Sequence, residues 1–212
     1  MSAVPTDGGE RQASAGMRRL HAHVLTQLAL MARLAGGEDA ELAARAAPVS
    51  GWSVAEQLEH LVLVDRAVLT SLGRILDGLR RPPEPQGPAE PPLPPEPPRP
   101  PVPGINLVGR LVLGTGFMPR GRARTMPPYH PGAAPIAAVR AGIPEIDGGV
   151  RGLAPRLGEL ERAGGRARHR IFGGLGGRQW LRFLAVHHHH HLKIVSDIRR
   201  AQGLAALALP AR

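Results

Sequence analysis

The chain has 212 residues, enough for one domain with tails, and its 42% hydrophobic content can build a sizeable core although only six residues are aromatic. The formal net charge is +10, but its arginines are scattered and no basic face interleaved with aromatics emerges, which disfavours nucleic acid as a partner. There is no cysteine, so disulfides, thiolate metal sites and cysteine nucleophiles are excluded.

The N-terminus lacks the basic-then-apolar order of a signal peptide, and no apolar run approaches the ~20 residues of a membrane span. A cytoplasmic protein with no membrane partner is therefore expected. Residues 1–16 are small and polar and read as a disordered tail. From Met17 to Leu34 apolar residues recur at helical spacing and stop at Gly36-Gly37, which predicts the first helix. Ser53 and Glu56 have capping-box spacing, with Trp52 placed to staple the first turn, so a second helix should run from Ser53 to about Leu79.

Residues 82–103 are so rich in proline that helix and sheet ladders are forbidden; they read as a stiff polyproline spacer between helices. Residues 105–118 suit a short helix or an irregular segment, and 119–135 a loop. A helix from about Ala137 to Ala163 follows, weakened in its front half by Gly142, Pro144, Gly148 and Gly149. The last helix spans Arg178 to Gln202. No strand is evident, and the fold class expected is all-α, a four-helix bundle over residues 17–203 with a long proline-rich crossover between helices two and three and a tail at 204–212.

The last helix carries five consecutive histidines, His187 to His191. On a helical wheel of about 100° per residue, His187 and His191 fall inside the stripe formed by Trp180, Phe183, Leu184, Ile194, Val195 and Ile198. His188 and His190 lie on its shoulders, and His189 points to solvent with Arg182, Lys193 and Ser196. Low complexity explains only His188 and His189. An inward pair at i, i+4 stacks two imidazoles on one face, and a shared cation satisfies nitrogens that a leucine–valine core cannot. The competing reading is a pair of core histidines bonded to backbone or water.

Three protein ligands are the usual minimum for an open site. Of the other histidines, His21 and His23 lie in the first turns of helix one, His130 in a proline-rich loop and His169 in an arginine-rich one. His60 is best placed, at the edge of the apolar face of helix two, with Glu56 one turn earlier to orient it.

The segments W52-S-V-A-E-Q-L-E-H-L61 and F183-L-A-V-H-H-H-H-H-L-K-I-V-S-D-I198 resemble the DinB-like superfamily of metal-dependent proteins. R110-L-V-L-G-T-G-F-M-P-R-G121 and F172-G-G-L-G-G-R-Q-W-L181 also look like features of that family, so the resemblance spans most of residues 17–200. It implies helical bundles with a long crossover and metal ligands at His60, His187 and His191. The cofactor implied is a divalent metal ion, zinc or nickel from all-imidazole ligation. The implied activity is that of a thiol S-transferase or hydrolase acting on a small-molecule substrate, with a low-molecular-weight thiol as one candidate partner. Glu56 and His190 are the nearest candidates for a general base, and a homodimer is left open. The alternative is a non-catalytic bundle whose metal site is structural or vacant.

Overall fold

The computed structural model describes residues 12–78, 102–121 and 125–211. The expected polyproline spacer, apart from its last two residues, and most of the N-terminal tail lie outside these. The elements in chain order are α1 (Ala15–Ala35), α2 (Asp39–Ala43), α3 (Val54–Asp77), α4 (Leu107–Thr115), α5 (Pro135–Gly152), α6 (Leu157–Arg162), β1 (Ala167–His169), β2 (Gly173–Leu175) and α7 (Gly177–Ala201).

Helix α1 starts two residues before the apolar periodicity does, because Ser14 caps it: its Oγ accepts from Met17 N at 3.1 Å. Ser14 also donates through both its N–H and its hydroxyl to the Glu161 carboxylate, at 2.8 and 2.6 Å, tying the helix start to α6. Helix α3 carries the expected capping box, with Glu56 N to Ser53 Oγ at 3.2 Å and Ser53 N to Glu56 Oε2 at 2.6 Å. It runs to Asp77 and is capped by Gly78, and the expected end near Leu79 lies outside the described residues.

The long helices α1, α3, α5 and α7 enclose the core, α5 and α7 each packing against both α1 and α3. Leu28, Met31, Leu58, Leu61, Leu72, Ile143, Ile146 and Leu181 are fully buried between them. The long third helix expected over 137–163 is broken. α5 stops at Gly152, a 3-10 turn spans Ala154–Arg156, and α6 resumes at Leu157. Pro155 explains the break, since it has no N–H to donate and disfavours helical geometry in the residue before it. Of the glycines that weakened the front half, Gly142 and Gly149 are packing residues, while Gly148 faces open space. A Cβ on Gly142 would collide with Val62 Cγ1, so α5 approaches α3 more closely than any side chain there would allow.

The expected loop at 119–135 contains a 3-10 turn, Pro127–Tyr129. The sequence also shows no strand, yet β1 and β2 form a short antiparallel hairpin pairing Ala167 with Leu175, Arg168 with Gly174 and His169 with Gly173. Gly173 adopts φ +82°, and a Cβ there would lie 2.6 Å from Gly104 O, so only glycine fits. The hairpin joins the start of α4, with Gly174 N donating to Pro103 O (2.9 Å) and Asn106 N to Phe172 O (2.9 Å). Asn106 then caps α4 through Oδ1, which accepts from Gly109 N. Beyond α7 the chain turns back, Leu207 N donating to Ser196 Oγ at 3.0 Å, and Leu207 and Leu209 pack on the core.

Candidate metal centre

The capping box fixes where α3 begins, and His60 follows two turns later on its buried face. Helix α7 starts at Gly177 and carries Trp180, Phe183, Leu184, Val195 and Ile198 inward, which turns His187 and His191 toward α3. The three imidazoles meet there. One nitrogen from each of His60, His187 and His191 lies within 4.8 Å of the others, and all three side chains are buried. Ring centroids are 5.2 Å apart for His60–His187, 4.7 Å for His60–His191 and 4.6 Å for His187–His191. Ligand nitrogens around a tetrahedral zinc are about 3.4 Å apart, so a bound ion would draw the three rings closer together.

The neighbours of each ring fix its tautomer. His60 Nδ1 is 2.8 Å from Tyr129 O, and a carbonyl only accepts, so Nδ1 carries the proton and Nε2 keeps its lone pair. His191 Nδ1 is 2.7 Å from Gln57 Oε1, while the Gln57 amide nitrogen donates to Ser50 Oγ at 2.8 Å. That again puts the proton on Nδ1 and leaves Nε2 free. His187 stacks on Phe183 at 5.1 Å, and its Nδ1 is buried with no hydrogen-bond partner. Burial holds His187 and His191 well below the usual histidine range, each imidazole being further opposed by the others. His60 is also lowered by burial, against the hydrogen bond to Tyr129 and the charge of Asp65. Neutral imidazoles with free lone pairs and an unpartnered buried nitrogen are what a divalent ion requires, so the residues fit such an ion. The cluster is one that could hold a metal ion.

Glu56 does not orient His60. Its carboxylate is taken by the capping box and by Arg45, 2.8 Å away, and those contacts outweigh the upward push of burial to lower its pKa. A capping carboxylate faces the helix start, so it cannot also reach a ring a turn later. The loop around Tyr129 does that work. His130, expected merely in a loop, approaches the Trp52 ring edge-on at 6.2 Å, and Trp52, just ahead of α3, packs on His60 of that helix at 5.2 Å. Gly132 N donates to Glu59 Oε2 at 3.0 Å and anchors the far end of the same loop to α3.

In the rest of the histidine run, His188 and His189 depart from the wheel, while His190 keeps its shoulder position. His188 is neither a shoulder nor low complexity: it is fully buried, with Nε2 2.8 Å from Asp65 Oδ2 on α3. His189 is half-buried rather than in solvent. His190 is half-buried, bonded to the Met118 backbone, and burial together with the charge of Arg120 brings its pKa to about 4. Outside the run, His21 Nε2 donates to Val150 O at 2.8 Å and pins α1 to α5. His169 accepts from Ile171 N and Phe172 N through Nδ1 (3.2 and 3.1 Å) inside a cluster with Phe172, Trp180 and Phe183.

Sequence reasoning missed Gln57, Asp65 and the backbone of Tyr129. Gln57 and Asp65 were open to discovery as polar residues at buried positions of an apolar helix face. The Tyr129 carbonyl leaves no side-chain signal.

No curated protein and no solved structure matches the chain. A family model described as the DinB superfamily matches residues 22–195, from the second turn of α1 to beyond the histidine run of α7. The chain belongs to the DinB superfamily.

Proposed function

We propose that His60, His187 and His191 bind a divalent metal ion, zinc or nickel, and that the centre activates a small thiol or water in an S-transferase or hydrolase type of reaction. The observation that carries this reading is the convergence of three buried, neutral imidazoles from two helices, two of them oriented by hydrogen bonds at Nδ1. All-nitrogen ligation suits zinc and nickel, whereas calcium and magnesium prefer oxygen. Such an ion, when bound, supplies Lewis-acid chemistry that lowers the pKa of a thiol or water in an open position.

The chain's own residues do the rest. Tyr129 O and Gln57 Oε1 hold two rings at fixed angles, and the apolar side chains around α7 limit water. The wall formed by Trp52 and His130 restricts approach from one side. His190 is the candidate to take or return a proton, because it is neutral, half-buried and next to a ligand. A cobalt-loaded sample tests the open position. Titration with a small thiol should produce a sulfur-to-cobalt charge-transfer band. A spectrum that ignores thiol and shows four fixed protein ligands would instead mark a structural site.

A further inference from the structure

Five large apolar side chains are exposed among the described residues, and they gather in one region. Leu107, 82% exposed, shares the outer face of α4 with Val108 and Leu111, while Val112 and Leu113 on the opposite face are buried. Asn106 Nδ2 donates to Ile171 O at 2.7 Å, which sets exposed Ile171 beside the start of the helix. Phe117 follows the Gly116 cap at the other end. Single exposed apolar residues are ordinary on a protein surface, but a helix that turns Leu107, Val108 and Leu111 outward has a face with no partner among the described residues.

The surroundings are basic. No Asp or Glu occurs between Glu96 and Glu145, nor between Glu161 and Asp197, and these two stretches supply α4 and the hairpin beside it. Arg110, Arg166, Arg168 and Arg170 are exposed there. The Arg166 guanidinium carbon lies 3.9 Å from the Cβ position of Gly104, just ahead of α4.

We propose that this face docks on an anionic lipid surface, with the aliphatic side chains entering the boundary between headgroups and acyl chains and the arginines meeting the lipid anions. Charge complementarity selects this occupant. A second copy would bring one arginine margin against another, and nucleic acid would find one aromatic ring, Phe117, on which to stack. No helix among the described residues is long and apolar enough to cross a membrane, and surface docking needs none.

Co-sedimentation of the untagged full chain with vesicles tests the proposal. Phosphatidylcholine vesicles carrying phosphatidylglycerol should pull the protein down at low salt, and phosphatidylcholine alone should not. Leu107→Ser with Leu111→Ser should weaken that binding about tenfold or more and leave the melting temperature unchanged, since both side chains are exposed. If that pair lowers the melting temperature, Arg166→Gln with Arg168→Gln gives the second reading and should also weaken binding. No sedimentation with the anionic vesicles would overturn the proposal. So would binding indifferent to the leucine pair, or a dimer in solution that the leucine pair dissolves while vesicles go unbound.

Discussion

Replacing Gln57 by leucine removes the acceptor of His191 Nδ1 while roughly keeping side-chain volume. Gln57 is 2% exposed and bridges His191 at 2.7 Å to Ser50 Oγ at 2.8 Å. The substitution leaves a buried N–H without a partner, which costs about 1–3 kcal/mol of stability. It also frees the ring to turn and removes the preference for the Nδ1–H tautomer. Loss of such a supporting hydrogen bond weakens metal binding by about 10–100-fold, or about 1.4–2.8 kcal/mol. Gln57→Glu keeps the acceptor and adds negative charge next to the ring, so its affinity should match or exceed the native value. Competition against a chromophoric chelator measures both, with thermal melting of the metal-free proteins run alongside. If Gln57→Leu loses stability but holds metal as tightly as the native chain, the hydrogen bond supports only the core and the reasoning fails.

Three further outcomes follow from the packing. His188→Ala strands the Asp65 carboxylate at a fully buried position and should destabilise the chain by about 3–5 kcal/mol, whereas His189→Ala should cost far less; urea denaturation ranks the two. Gly142→Ala drives a methyl into Val62 at the α3–α5 contact and should cost about 1–3 kcal/mol, read as a lower midpoint of denaturation. For pH, burial depresses His169 from 6.5 to about 4, so the unfolded chain binds its proton more readily between those values. Stability present at neutral pH is then lost as pH falls from 6.5 toward 4, by at most about 3–4 kcal/mol from this group. His169→Leu should flatten that part of the metal-free stability curve.

Local rules made much of this legible. The Ser53–Glu56 spacing placed the start of α3, Gly36 and Gly37 the end of α1, and a helical wheel turned His187 and His191 inward. What stayed hidden depends on distant partners. His188 looked dispensable because Asp65, 123 positions away, cannot be paired with it from spacing. Glu56 had three candidate tasks, helix cap, support of His60 and general base, and the capping box won because its contacts lie within one turn. The hairpin went unseen because its strands have three residues each and one is Gly-Gly-Leu, which carries almost no β propensity. Gly142 and Gly149, which argued against α5, are explained by its close approach to α3; Gly148 faces open space and is not.

The most direct test is elemental analysis of untagged protein, native beside His187→Ala and His189→Ala. About one equivalent of zinc or nickel should accompany the native chain; His189→Ala should keep it, and His187→Ala should lose it along with the melting temperature that metal confers. Sub-stoichiometric metal in the native chain, with His187→Ala changing neither metal content nor melting, would contradict the account.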